Sequence, residues 1–254
     1  MPETAPHELQ TLLDDLYDRH RTNSEGQVAT YIPELSKVSP DEFGMCVATA
    51  NGRVFEAGEC DRLFTIQSIS KPFTFALAMD EFGADKVLGF VGVEPSGDAF
   101  NSIELHGLTN RPFNPMINTG AITVTAMLHA QHGEQTFDHI LERFSTIAGR
   151  PLSVDEDVYE SERRTGHRNR AIAHLLLNFG VVHDEAEAAL DVYFRQCAIQ
   201  VTSRDLAMMG ATLANMGCHP VTGRRQAPGG HGEVGFKLIA DAAIDSPRAH
   251  AVEK

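Results

Sequence analysis

The chain has 254 residues, 42% hydrophobic and 22% charged, the proportions of a soluble globular protein that can bury a sizeable core as one large domain or two small ones. Its 21 basic and 35 acidic residues give a formal net charge of −14, which repels nucleic acid and anionic membrane and argues against either as a partner. The polar, acidic start from Met1 to Glu8 is not the pattern of a signal peptide, and no apolar run approaches the length of a membrane span. Cys46, Cys60, Cys197 and Cys218 form no C-x-x-C pair and read as buried, reduced thiols of a cytoplasmic protein. The 12 histidines show no H-E-x-x-H or similar spacing, so no metal and no other cofactor is expected.

In chain order, Leu9, Leu12, Leu13, Leu16 and Tyr17 recur at helical spacing and predict an amphipathic helix over Glu8 to His20. Tyr31-Ile32-Pro33-Glu34-Leu35 is expected to be extended, because the residue before a proline avoids the helical region. Phe43 to Gly58 reads as a β-hairpin turning at Asn51-Gly52, a pair suited to the positive φ angles of a type I′ turn. A helix through Ser68 is predicted to run to about Phe82 and stop at Gly83. From Val87 to Thr119 the chain is rich in Gly, Pro, Asn and Ser, and so long a stretch without periodicity inside a compact domain is usually functional. Further helices are predicted over Ala121 to Ala130, Phe137 to Ala148, Ala171 to Phe179, Ala186 to Gln196 and Ser203 to Met216, the last with Ser203 as cap and Gly217 as stop. No strand pattern follows these helices. After about Thr222 the chain becomes polar and glycine-rich, a short apolar stretch spans Val234 to Ile244, and Asp245 to Lys254 has the composition of a disordered end.

The chain is organised around Phe64-Thr65-Ile66-Gln67-Ser68-Ile69-Ser70-Lys71-Pro72-Phe73, which contains Ser68-x-x-Lys71. Residues three apart on a helix share a face, so the two side chains can meet. A serine hydroxyl is a poor nucleophile until a base takes its proton, and a lysine whose pKa is lowered by burial can be that base. A helix N-terminus beside Ser68 favours a developing oxyanion. The motif is short enough to arise by chance, and the bland reading makes Ser68 an N-cap and Lys71 a solvated first-turn residue. Phe64, Ile66, Ile69, Phe73 and Leu77 around the pair predict a buried helix start, and Pro72 falls in the first turn, where its missing N–H costs little.

Further motifs stand in register with this one. They are Tyr31-Ile32-Pro33-Glu34-Leu35, Glu94-Pro95-Ser96-Gly97 with Phe100-Asn101-Ser102, and Asn114-Pro115-Met116-Ile117-Asn118. Then come Ser161-Glu162 with Arg168-Asn169, Tyr193-Phe194-Arg195-Gln196-Cys197, and Asp205-Leu206-Ala207. Each residue has a plain alternative when read alone. Glu162 is a solvated helix-cap acid, Asn118 closes a turn, Asn169 belongs to a solvated polar face, and Tyr193 is core.

Taken together, the set resembles the bacterial and mitochondrial glutaminase family, serine-dependent amidohydrolases related to β-lactamases and penicillin-binding proteins, over roughly residues 8 to 223. The resemblance implies a β-lactamase/transpeptidase-like α/β (α+β) fold, with helices around an antiparallel sheet. It implies hydrolysis of L-glutamine to L-glutamate and ammonia through a glutamyl ester on Ser68. In that reading Lys71 is the general base, and Tyr193 relays a proton or binds substrate. Asn118, Glu162 and Asn169 bind the glutamine, and Tyr31 and Gln67 lie close to the site. The set makes chemical sense. Free glutamine carries an ammonium and a carboxylate, Glu162 supplies an anion for the first, and each asparagine offers an acceptor and two donors. An acyl-enzyme route calls for no metal. Relatives of this kind commonly form dimers or tetramers, so a homo-oligomer is expected.

Family members continue with a glycine-methionine-tyrosine-aspartate segment, a lysine-serine-glycine strand that leads to an oxyanion donor, and further strands. None of these has a counterpart after Gly223. The expectation is therefore a catalytic domain over residues 1–223, C-terminally truncated or frame-shifted, with an unrelated or disordered tail over 224–254. Its sheet is expected to keep only the 43–58 hairpin. Loss of an oxyanion donor typically costs roughly 10²–10³ in turnover. Two rivals follow: a penicillin-recognising hydrolase, and an inactive homologue acting at most as an oligomer partner.

Overall fold

The computed structural model describes residues 6–94, 99, 101–183 and 186–224. Of the sequence motifs, Pro95-Ser96-Gly97 and Phe100 lie outside the described residues, as does the chain beyond Arg224. Helix α1 (Pro6–His20) leads to a 3-10 turn at Pro33–Lys37 and then to strands β1 (Gly44–Ala48) and β2 (Val54–Gly58). The short strand β3 (Phe64–Thr65) and a 3-10 turn at Gln67–Ile69 enter helix α2 (Ser70–Phe82), followed by α3 (Ala84–Phe90). Next come α4 (Asn118–His132), α5 (Thr136–Ala148), β4 (Ser153–Val154), α6 (Glu156–Thr165) and α7 (His167–Asn178). Helix α8 (Ala186–Cys197), β5 (Ile199–Val201) and α9 (Ser203–Ala214) complete the described elements.

The predicted hairpin is present. Strands β1 and β2 pair antiparallel, with Cys46 opposite Glu56 and Val47 opposite Phe55. Its turn differs from the type I′ expectation. Gly52 has φ +83°, while Asn51 is not among the described residues with positive φ, and the Gly52 N–H donates to the Thr49 carbonyl at 2.9 Å. A turn from Thr49 to Gly52 with only its last residue left-handed belongs to the longer hairpin loops. Helix α1 packs on β2, and the Tyr17 and Phe43 rings stack 5.5 Å apart.

A second sheet of order β3-β5-β4, all antiparallel, corrects the expectation that only the hairpin would remain. Its strands are two or three residues long, below the length at which alternation is readable. The extended Tyr31–Leu35 expectation holds at Ile32, the residue before the proline, at φ −119° and ψ 123°, but is corrected from Pro33 onward, where a 3-10 turn starts instead. A proline suits that first position, since its missing N–H would have no partner there. Helices α3 and α6 were not foreseen: both are short, and α6 (EDVYESERRT) has few apolar residues. Helix α9 is capped by Thr202 rather than Ser203. The Thr202 side chain accepts from the Asp205 N–H, and the Asp205 carboxylate accepts from the Thr202 N–H.

Helix α4 lies at the centre. Val124, Met127 and Leu128 join one apolar cluster with Phe73, Phe75 and Met79 of α2 and Ile140 and Phe144 of α5. Ala121 and Ile122 join a second with Ile172 and Leu176 of α7 and Leu190 and Phe194 of α8. A helix buried on two faces reads as continuously apolar, as α4 does. The N-terminal ends of α2 and α4 therefore arrive side by side. No helix among the described residues is long and apolar enough to cross a membrane.

Candidate active site

The site is built where those two helix ends meet. Ser68 sits in the 3-10 turn just before α2 and is exposed, whereas Lys71, in the first turn of α2, is 3% exposed. The apolar surround is only partly as expected. Ile66, Phe73 and Leu77 are buried, but Phe64 and Ile69 are exposed, because the turn carrying Ser68 rises to the surface. The turn is entered through Gln67 at φ +49°, a left-handed backbone that a non-glycine residue adopts at some cost. Two groups hold it there. The Ser70 hydroxyl donates to the Gln67 carbonyl at 2.7 Å, and Gln196 Nε2 donates to Ser70 Oγ at 2.9 Å. Gln67 Nε2 also donates to Thr65 Oγ1 at 3.0 Å.

The loop before α4 supplies partners for Lys71. Lys71 Nζ donates to the Met116 carbonyl at 3.0 Å and to Asn118 Oδ1 at 2.7 Å. Asn114 braces that loop by donating to the Glu94 carbonyl and accepting from the Met116 N–H. Gly120 is required on the facing turn of α4, because a Cβ there would lie 1.9 Å from the Asn114 carbonyl oxygen. Asn118 in turn donates from Nδ2 to Asn169 Oδ1 at 3.0 Å, which ties α4 to α7.

Electrostatics follow from burial. Desolvation lowers the Lys71 pKa to about 8, against the opposing influence of Cys197 and Glu162. Glu162 on α6 is 6% exposed, and burial pushes its carboxyl up to about 8, with Lys71 pulling the other way. Its Oε2 has no hydrogen-bond partner among the described residues, so an acceptor is presented inside the site. Tyr193 and Cys197, one turn apart on α8, are fully enclosed and hydrogen-bonded to each other; burial raises both pKa values well above normal, so both stay protonated. Tyr31 exposes 67% of its surface, yet it lies close enough to feel Cys197 and Glu162. Desolvation first, then the proximity of Cys197 and Glu162, pushes its phenol up to about 12.

Hydrogen bonds join Lys71 to Asn118 of α4 and Asn118 to Asn169 of α7, and mutual electrostatic influence joins Glu162 of α6 to Lys71, Tyr31 and Tyr193 of α8, while Gln67 and Ser68 stand in the turn that leads into α2 and so to Lys71. Ser70, Gln196, Cys197 and the Met116 carbonyl were missed as members. Gln196 and Cys197 stand three and four residues after Tyr193, so the helical spacing of α8 carried the signal. A cleft of about 540 Å³ between α5, Arg150 and Arg224 contains none of these residues.

Residues 26–232 match the family described as Glutaminase, a span that runs past the last motif read from the sequence. The glutaminase of Trichormus variabilis is 49% identical over 223 residues, covering 88% of this chain and 67% of that protein. Glutaminase 2 of Bradyrhizobium diazoefficiens is 52% identical over 215 residues, covering 85% of this chain and 34% of that protein. Among solved structures, the glutamate form of Mglu superposes with a TM-score of 0.88 at 40% identity, over 96% of this chain and 56% of that one. A probable glutaminase from Bacillus subtilis complexed with 6-diazo-5-oxo-L-norleucine superposes at 0.82 and 32% identity, over 97% and 74%. The chain therefore spans between about a third and three quarters of the length of these relatives. With its β-lactamase-like mixture of helices and small antiparallel sheets, and with this identity over most of its length, the chain belongs to the glutaminase family.

Proposed function

We propose that this site hydrolyses L-glutamine to L-glutamate and ammonia through an ester on Ser68. The observation that carries the reading is Lys71: a buried amine with a pKa near 8, one helical turn from an exposed serine and held by Asn118. Neutral Lys71 takes the Ser68 hydroxyl proton as Oγ attacks the side-chain amide carbon. The proton then passes to the departing nitrogen, the C–N bond breaks, and ammonia leaves. Water attacks the ester, gives its proton to Lys71, and Ser68 recovers its own as glutamate is released. Tyr193, kept as a phenol by burial, serves as a donor near this path, not as a base.

Glu162, whose Oε2 has no hydrogen-bond partner among the described residues, receives the substrate ammonium, whose charge favours the ionised carboxylate, and Asn118 and Asn169 orient the remaining polar groups, with Tyr31 and Gln67 at the rim. We assign this work to a cytoplasmic homo-oligomer, with the catalytic unit in residues 1–223 and residues 224–254 as a separate tail. Support for the reaction comes from the family membership and from the likeness to the glutamate form of Mglu and to a probable glutaminase complexed with 6-diazo-5-oxo-L-norleucine. The test is ammonia release from L-glutamine by the purified chain beside Ser68→Ala. Release that disappears in the variant, with the fold unchanged, is the expected result. Release that survives in Ser68→Ala would overturn the nucleophile, and a folded chain with no release would recast the protein as an inactive relative.

A further inference from the structure

Helices α2 and α4 each have a second end, about 15 Å from Lys71 along α2 at 1.5 Å per residue. There Glu81, one residue before the end of α2, meets His132, the last residue of α4, and His139 in the first turn of α5. His132 Nε2 lies 2.8 Å from Glu81 Oε2, and His139 Nε2 is hydrogen-bonded to Glu81 Oε1. The two imidazoles stack with ring centroids 4.3 Å apart and planes 29° from parallel. One ligand atom from each of the three side chains lies within 4.8 Å of the others. All three are partly exposed, with side-chain exposures of 20–29%, so an ion can reach them from solvent.

Two imidazole nitrogens and one carboxylate are the donor set of a three-ligand zinc site whose fourth position is water. A tetrahedral ion with bonds of about 2.0–2.1 Å holds its ligand atoms about 3.3 Å apart, a separation within the 4.8 Å that these three atoms already span. Arg143 of α5 is paired at 2.7 Å with Asp80, the neighbour of Glu81. The imidazole-rich donor set favours Zn²⁺, Co²⁺, Ni²⁺ or Cu²⁺ over the hard, oxygen-seeking Mg²⁺ and Ca²⁺. Sequence spacing could not announce it: the ligands come from three helices, 51 and 58 residues from Glu81.

We propose that Glu81, His132 and His139 form a binding site for a divalent transition-metal ion, Zn²⁺ foremost, which ties the C-terminal ends of α2 and α4 to α5. The ion would brace, from the opposite end, the two helices whose starts carry Lys71 and Asn118. It takes no part in the hydrolytic step.

The test titrates Zn²⁺ alone into the untagged, metal-stripped full chain by isothermal calorimetry, beside His132→Gln and His139→Gln. One tight equivalent, weakened about tenfold or more in either variant, and a saturable rise in Tm seen only in the parent chain, are expected. Equal uptake in the variants, or no saturable uptake, would overturn the site. Should a variant fail to fold, Co²⁺ bound to the parent chain decides. Visible bands of a four-coordinate nitrogen and oxygen site support the proposal. An octahedral spectrum, or a thiolate charge-transfer band pointing to the cysteines, refutes it.

Discussion

Asn118 Oδ1 accepts a hydrogen bond from Lys71 Nζ at 2.7 Å, and the same amide donates from Nδ2 to Asn169. A neutral acceptor was used where an acid would fit, and the difference matters. An anion beside Lys71 would favour its charged form and remove the base. Asn118→Asp is expected to move the acidic limb of the kcat/KM profile up by about 1–3 pH units and to cut activity at pH 7 by about tenfold or more. Rate measurements on L-glutamine from pH 6 to pH 10 check this; an unmoved limb would separate Asn118 from the base.

Glu162 works in the opposite sense to a simple loss of binding. Its charge raises the Lys71 pKa, so Glu162→Gln should lower the Lys71 pKa and shift the acidic limb to lower pH, even as KM rises for want of an anion to meet the substrate ammonium. In the parent chain Lys71 and Glu162 both titrate near 8 and in contact with each other's field, so the limb is a property of the pair. A limb in the variant that moves upward would contradict the assignment.

The same carboxyl sets a stability signature. Its folded pKa of about 8 lies above that of an unfolded glutamate, about 4.3. The folded state therefore binds the proton more tightly, and the stability this gives is fully present below pH 4.3 and lost as pH rises through 8. The Tm advantage of Glu162→Gln over the parent should accordingly grow from pH 5 to pH 8 and then level off, as thermal melts across that range will show.

Ser70 is a positioning residue. Its hydroxyl donates to the carbonyl of left-handed Gln67 and accepts from buried Gln196. Ser70→Ala leaves the Gln196 amide with a lost partner, and a cost of about 1–3 kcal/mol in urea unfolding is expected. A larger fall in kcat than rise in KM should accompany it, because the Ser68 turn loses its brace while the substrate contacts stay. Equal stability with unchanged kcat would show that the turn holds itself.

Asp205 does two jobs with one carboxylate. It completes the capping box with Thr202 and receives Arg150 through both Nε at 2.8 Å and an Nη at 2.5 Å. Asp205→Ala removes the cap and strips a partly buried arginine of its partner. Unfolding free energy should fall by about 2–4 kcal/mol, between the usual loss of a cap and that of a buried ion pair. Glutamine turnover by the folded fraction should be unchanged.

Much of the helical frame was legible because it is local. Leu9 to Tyr17, Phe137 to Ala148 and Ala186 to Gln196 repeat apolar residues on one face, and Gly52 and Gly83 mark stops with φ +83° and +75°. The candidate site was legible as a set of residues, through motifs in register, but not as an arrangement. Strands of two and three residues such as Phe64–Thr65 and Ile199–Val201 carry no period of their own and exist only because partners more than a hundred residues away pair with them.

The order of residues alone determined that a serine and a lysine stand one turn apart beside a proline and that the hairpin precedes them. Only tertiary packing decided that Lys71 is buried and Ser68 exposed, that Glu162 faces that lysine without a hydrogen-bond partner for its Oε2 among the described residues, and that Glu81 meets two histidines. Periodicity follows from the geometry of one element. Desolvation, and with it every shifted pKa in the site, follows from what other elements place around a group.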